Sequence, residues 1–468
     1  MGGLVSDDRP GSRAAENAAS VTVAERPATF RDLFALSEYR AVYVALLASW
    51  VGDYVARAAI TVLVYQQSKS VLLSAAAFAV SYLPWLLGGP PLSALAERYP
   101  YRRVMVVCDL LRMALIPVLL VPGLPILGMV LVLFLITLGG VPTQAARSAM
   151  LPLMMSRAHL AVAMAANQTT MQAAQVIGYL AGATLVAAVH PRLAIGVDAL
   201  AFGLSATLVL AGVRHRPAAR TATERKHLLR ETAAGFRLVF GSRILRSIAL
   251  LACSMSAFAI VPEGLAAAWA AQGHPDETSR SFDQGMIMAA GPVGFVIGGL
   301  IVGRLAGPAL RHRLIRPLAV AAPLVLVPAL ARPAVPVVVL LTMLSGVAQG
   351  GLMPTLNTLF VLALPHGFRA RAFGVVQQGL QLSQGGAVLL TGALANRSSV
   401  PPVVGLWSLA GAALMLVTAA RWPSARSVEN AIDEATVASA AAAALRGPHR
   451  NARHTLPRVG GAAGRMDR

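Results

Sequence analysis

Residues 168–175 read Gln168-Thr169-Thr170-Met171-Gln172-Ala173-Ala174-Gln175, and 209 positions later the chain reads Gln377-Gln378-Gly379-Leu380-Gln381-Leu382-Ser383-Gln384. Both stretches place glutamine at i, i+4 and i+7, which is one face of a helix. Both also lie inside apolar runs long enough to cross a bilayer. Two acids in such runs, Asp53 and Glu263, stand 210 positions apart. Gly88-Gly89 returns as Gly298-Gly299 after the same interval, and Pro142-Thr143 returns as Pro354-Thr355 after 212. One long period that carries polar groups through apolar runs predicts a chain built from two similar halves. Ionisable side chains at membrane depth cost roughly 2.5–3.5 kcal/mol each, so they mark function. Duplicated membrane halves with polar groups between them are the pattern of a secondary transporter.

The composition agrees. Only 13% of the 468 residues are charged and 56% are hydrophobic, with a mean hydropathy of +0.65. Soluble domains carry about 25% charged residues, so the chain reads as an all-α membrane protein. Twelve apolar runs fall at 41–65, 71–94, 104–122, 125–146, 160–189, 193–213, 246–271, 284–306, 315–332, 334–363, 370–394 and 402–421. Pro122-Gly123-Leu124-Pro125 separates the third from the fourth, and Arg332-Pro333 the ninth from the tenth. The prediction is twelve transmembrane helices in two pseudo-symmetric six-helix halves, 41–213 and 246–421. A tail at 1–40, a linker at 214–245 and a second tail at 422–468 complete the chain. The first 30 residues lack the apolar core of a cleaved signal peptide. Ser427 is placed to cap a short helix reaching Arg446, and the Gly, Pro and Arg beyond it favour disorder.

The net charge of +20 raises the possibility of a nucleic-acid partner, but its distribution argues against one. Of the 40 basic residues, 33 fall in the two tails, the alternate loops on their side or the span ends that border them. Five fall in or beside the opposite loops, and Arg57 and Arg112 lie deep within spans. That bias sets both termini in the cytoplasm. The membrane implied is the plasma membrane of a prokaryote.

The stretch from Gly89 to Arg103, Gly89-Pro90-Pro91-Leu92-Ser93-Ala94-Leu95-Ala96-Glu97-Arg98-Tyr99-Pro100-Tyr101-Arg102-Arg103, resembles the loop 2–3 signature of the major facilitator superfamily. It departs from that signature at Ser93, Glu97 and Pro100, where the family has Gly, Asp and Gly. Gly52-Asp53 after Trp50-Val51, and Cys108-Asp109-Leu110-Leu111-Arg112, resemble the branch that holds macrolide-efflux and enterobactin-exporter-like proteins. The resemblance covers residues 30–421 and implies alternating access. The branch implies proton-driven efflux of hydrophobic or amphipathic molecules, multidrug substrates among them. A siderophore or lysophospholipid carrier is a second reading, and a transport-inactive sensor or scaffold a third. The intramembrane acids and glutamine faces argue against the third, since a scaffold has no use for them.

Neither lysine continues a phosphate-binding loop: Lys69 follows Ser68 and Lys226 follows Arg225. Driving force must then come from an ion gradient, where each charge moved is worth roughly 2.3 kcal/mol per 100 mV. No nucleophile–base pair suggests an enzyme. Cys108 and Cys253 have no metal-ligand spacing, and the nine histidines lie in loops, tails or span ends. No cofactor or metal is expected. The partners expected are a small-molecule substrate, protons and the lipid bilayer, for a protein that works as a monomer.

Asp53 and Glu263 sit near mid-membrane in spans one and seven, which the resemblance places across a central cavity. Glu263 stands between Pro262 and Gly264, a pair that favours a bend. Arg57, at i+4 from Asp53, is positioned to neutralise it. The counterpart of Arg57 in the second half is Ala267, so Glu263 has no base nearby in sequence. Glu263 is therefore the better candidate for proton exchange, with Asp53 and Arg57 shaping the site. Gln168, Gln172, Gln175, Gln377, Gln381 and Gln384 line either the pathway or a static seam between halves. Glu97, Arg98, Arg102, Arg103 and Asp109 form the candidate cytoplasmic gate, the family implying that the loop acid meets the start of span eleven. Positive-inside anchoring accounts equally for Arg102 and Arg103. Asp109 with Arg112 also reads as a structural ion pair, and Asp198 as structural.

Overall fold

The computed structural model describes residues 30–86, 92, 98–216, 228–273, 276–364, 369–423 and 433. Glu97, the Gly88-Gly89 pair, most of the Arg-rich linker and the Ser427–Arg446 segment lie outside the described residues. The first half comprises α1 (Ser37–Ser68), α2 (Val71–Leu86, with a 3-10 turn at Val80–Tyr82), α3 (Tyr101–Leu120), α4 (Ile126–Met154), α5 (Arg157–Ala188) and α6 (Pro191–Gly212). The second comprises α7 (Arg243–Ala259, continued by Val261–Gly264 and Ala266–Gly273), α8 (Glu277–Leu305), α9 (Pro308–Leu324), α10 (Val335–Leu362), α11 (Arg369–Asn396) and α12 (Val400–Ala420). Nine of the described helices are long and apolar enough to cross a membrane. The other three stand in the places of spans two, three and eleven. In α3 Arg102, Arg103, Asp109 and Arg112 lower the hydropathy, and in α11 the glutamines and arginines do so. Two short helices were not expected from the sequence: Phe30–Ala35 before α1, and Leu228–Gly241 within the linker.

Local chemistry explains the reversals. α1 ends where Lys69 adopts φ 52° and its N–H closes back on the Tyr65 carbonyl. Ser70 then caps α2 by accepting from the Leu73 N–H. Between α3 and α4, Gly123 takes φ 77°, which costs glycine little. α7 breaks around Pro262, which has no N–H to donate and disrupts the helical ladder. The break carries Glu263 at its centre.

Within the first half α1 packs on α5 and α6, and α3 on α4 and α6. Within the second, α10 lies between α8 and α9, and α7 against α11 and α12. Small residues permit these approaches, as bilayer helices require. Gly294 and Gly298 of α8 interleave with Gly346 and Gly350 of α10 so closely that each position is filled by backbone of the partner helix.

Call the ends of the bundle where α1 begins and α12 ends the tail face, and the opposite one the far face. The halves meet mainly through α5 on α8 and α2 on α11. Gly285 rests on Ala183, and Gly392 on Ala75. Gln284 donates to the Ala58 carbonyl and the Thr61 hydroxyl, both at 3.0 Å. At the rim Gln66 donates to Glu277, and Ser70 Oγ lies 3.0 Å from Asn396 Oδ1. All of these contacts belong to the far part of the helices.

The α8–α10 seam yields a first expectation. Gly350→Leu would drive a side chain into the Phe295 backbone, whereas Gly303, also in the second half, faces open space. Overpacking of this kind costs about 1–3 kcal/mol or more. Thermal unfolding in detergent should show a clear loss for Gly350→Leu and little change for Gly303→Leu. Equal stability of the two variants would mean that the seam is not tight.

Candidate functional site

A cavity of about 930 Å³ lies between the halves. α1 contributes Trp50, Asp53, Tyr54 and Arg57, and α2 adds Tyr82 and Trp85. Gln172 and Gln175 of α5 face Gln377, Gln381 and Gln384 of α11. Gln144, Arg147 and Ser148 reach it from the tail end of α4, and Arg371 from the start of α11. The cavity thus extends toward the tail face, while the described contacts between halves close the far face. Its wall mixes aromatic rings, neutral amides and charge. Gln168 is exposed and does not line it, so five of the six glutamines share one space.

Two polar clusters border the cavity. The first is centred on Arg112 of α3, which is only 4% exposed. Its Nη2 donates to Asp53 Oδ1 at 2.6 Å, and its Nε to the Ile136 carbonyl at 3.0 Å. Its Nη1 stands 3.9 Å from Asp109 Oδ1, and its plane covers the Phe202 ring at 3.9 Å. Asp109 Oδ2 accepts from Ser205 at 2.7 Å. Arg147 donates to Gln144 at 3.1 Å, and its Nε is buried with no partner among the described residues. Asp198 of α6 lines the same space, its Oδ1 lying over Gly52.

The second cluster surrounds the break in α7. Glu263 is buried and accepts from the Tyr179 hydroxyl and from Gln175 Nε2, at 3.2 Å and 3.4 Å for its two oxygens. Arg57 sits over the rings of Tyr54, Phe78 and Tyr82 at 5.3, 5.5 and 5.7 Å. Three aromatic faces stabilise a cation by their quadrupoles. Among the described residues no carboxylate lies within ion-pair distance of it.

These placements correct several sequence expectations. Asp53 pairs with Arg112 rather than with Arg57, because α1 turns Asp53 toward α3 and Arg57 toward α2. The Asp109–Arg112 pair exists but is long, since Arg112 leans to Asp53. Asp109 is fully buried between α3 and α6, where it accepts from Ser205. Arg98 and Arg103 are exposed, and Arg102 Nη2 caps the end of α6 at the Leu210 carbonyl, 2.5 Å away. Glu263 is buried behind Gln175 rather than lining the cavity. The apolar run at 125–146 leaves Arg147 in the loop that follows it. α4 in fact runs on to Met154, and Arg147 is buried. The apolar spacing of Ala146, Met150 and Leu151 was the available signal. Asp198 gave no such signal, because its distance from Gly52 in sequence is large.

Comparison with known proteins decides the family. Residues 42–387 match the family model of the Major Facilitator Superfamily. The chain belongs to that superfamily. No curated protein matches it in sequence. Among solved structures, the nucleoside transporter NupG superposes with a TM-score of 0.61 at 12% identity, covering 82% of this chain and 98% of that one. A POT family transporter in complex with 5-aminolevulinic acid gives 0.62 at 12% identity, covering 81% and 95%. A bacterial homolog of the human lysosomal transporter Spinster, inward-facing and unoccupied, gives 0.59 at 15% identity, covering 86% and 96%. At such identities the likeness is one of fold.

The Arg112 cluster yields a second expectation. Asp53→Asn would leave a buried guanidinium short of its nearest carboxylate. Breaking a fully buried pair from one side costs about 3–5 kcal/mol, and less here because the Asp53 side chain is 30% exposed, whereas replacing both members by neutral groups costs less still. Asp53→Asn should therefore unfold at markedly lower temperature than the wild type, and Asp53→Asn with Arg112→Met should recover part of the loss. A double variant less stable than the single one would refute the pairing.

Proposed function

We propose that this member of the superfamily, a secondary transporter of the alternating-access type, exports amphipathic small molecules by proton antiport, from a prokaryotic plasma membrane, as a monomer. In this reading the tail face, with residues 1–40, 214–245 and 422–468, lies in the cytoplasm. The halves 41–213 and 246–421 rock about the cavity. With that orientation the closed far seam makes this an inward-facing state, the state named for the Spinster homolog. The efflux direction rests on the family branch that Gly52-Asp53 and Cys108–Arg112 resemble.

The observation that carries the proposal is the wall of the cavity. Trp50, Tyr54, Tyr82 and Trp85 offer apolar area. The glutamines offer donors and acceptors without fixed charge, so they can exchange partners as a substrate turns. Glu263 supplies the proton site. It sits at a helix break, where motion of α7 would change its surroundings, and it bridges to α5 of the other half through Tyr179 and Gln175. Its proton state and the contact between halves are thereby linked. Arg57, held by rings instead of by a carboxylate, tunes that charge from nearby.

Purified protein in liposomes, with an imposed pH gradient and ethidium or erythromycin as probe, tests the reading. Accumulation should follow the gradient and collapse with an uncoupler. Glu263→Gln should lower uphill accumulation at least tenfold while leaving probe exchange near the wild-type rate. Accumulation indifferent to the pH gradient would overturn proton coupling. Uphill transport kept by Glu263→Gln but lost in Asp53→Asn would move the proton site to the first cluster.

A further inference from the structure

We propose that Asp198 is a second proton-exchanging carboxyl, in the first half, which competes with Asp53 for Arg112. The ionisable groups within electrostatic reach of it are Asp53 from α1 and Asp109 and Arg112 from α3. Arg147 from α4 stands beside them, within electrostatic reach of Asp53, Asp109 and Arg112. Three carboxyls therefore meet two guanidiniums. Arg112 is engaged by Asp53 and the Ile136 carbonyl, and Asp109 by Ser205. Asp198 is 2% exposed, and its Oδ1 has no donor among the described residues. With Oδ1 cut off from water and given no donor, the ionised form is costlier here than a neutral carboxyl. The cluster balances when Asp198 carries one proton, with two positive charges against two negative.

Asp198 also borders the cavity, so its proton has a route to water when the tail face is open. Departure of the proton creates a third carboxylate across Gly52 from Asp53. Arg112, lying over Phe202 one turn along α6 from Asp198, is the guanidinium placed to answer it. Turning toward Asp198 loosens Arg112 from Asp53 and shifts the tie between α1 and α3 to α6 and α3. The event is a proton transfer between Asp198 and cavity water, followed by exchange of an ion-pair partner. Its part in transport rests on the proton-coupled reading above, but the protonation itself is tested apart from transport.

The experiment is pH-difference infrared spectroscopy on the reconstituted full chain, with thermal unfolding alongside. Wild type should show carbonyl stretching bands of protonated carboxyls that shift on exchange into heavy water. Asp198→Asn should lose one of them, and Glu263→Gln a different one. Asparagine mimics a neutral carboxyl, so Asp198→Asn should unfold near the wild-type temperature, in contrast with Asp53→Asn. A spectrum unchanged by Asp198→Asn overturns the proposal. So does destabilisation as large as that of Asp53→Asn, which would make Asp198 an ionised structural partner. Loss of the band with uphill transport intact would leave the protonation standing and refute only its coupling role.

Discussion

A guanidinium in a bilayer must be given an anion and carbonyl oxygens by its own protein, because lipid offers neither. Arg112 is that constraint here. It draws Asp53 from α1, the Ile136 carbonyl from α4 and Asp109 from its own helix to one point, with Phe202 of α6 beneath its plane. Four of the six helices of the first half are fixed around one side chain. Among the described residues the second half has no matching guanidinium at its centre, and its α8 and α10 interleave glycine against backbone. Glycine also lets α5 approach α1 in the first half, at Gly178 and Gly182, so the buried guanidinium is what sets that half apart.

The two polar clusters divide the work of the cavity wall. Around Arg112, charge is paired within one half, so the cluster can be retained whatever the halves do. Around Glu263, the bonds to Tyr179 and Gln175 cross from α7 to α5 and so from half to half. Motion of one half against the other must alter the second cluster before it alters the first. That ordering places the acid at the α7 break where a change of conformation is felt most directly.

Much of this was legible in the sequence because membrane insertion writes its rules into composition. The 210-residue interval, the polar faces of α5 and α11 and the basic bias of alternate loops led to the twelve-helix plan. The hairpins at Gly123 and Arg332 were marked by their turn residues. Partners of the charged groups were not legible. Asp53 has Arg57 one turn away in sequence, yet binds Arg112, 59 residues distant. A helix shows which side chains share its face but not which neighbouring helix that face meets. Arg147 was missed for another reason: a run of hydropathy ends when charge begins, even where the helix and its burial continue. The linker helix Leu228–Gly241 was hidden by its mixed composition, and its value emerges only where Gly235 lets it lie against Arg371 of α11.

Across the far seam Gly285 on Ala183 and Gly392 on Ala75 are smooth contacts between small residues. Between them Gln284 is keyed into the first half, donating to the Ala58 carbonyl and the Thr61 hydroxyl, so resistance to parting has a buried part and a rim part. At the rim Gln66 with Glu277, and Ser70 with Asn396, behave like an outer latch. Water reaching the rim can replace each of these bonds nearly in kind. The rim of the far seam therefore parts at small cost, and the buried Gln284 bonds set the resistance beneath it.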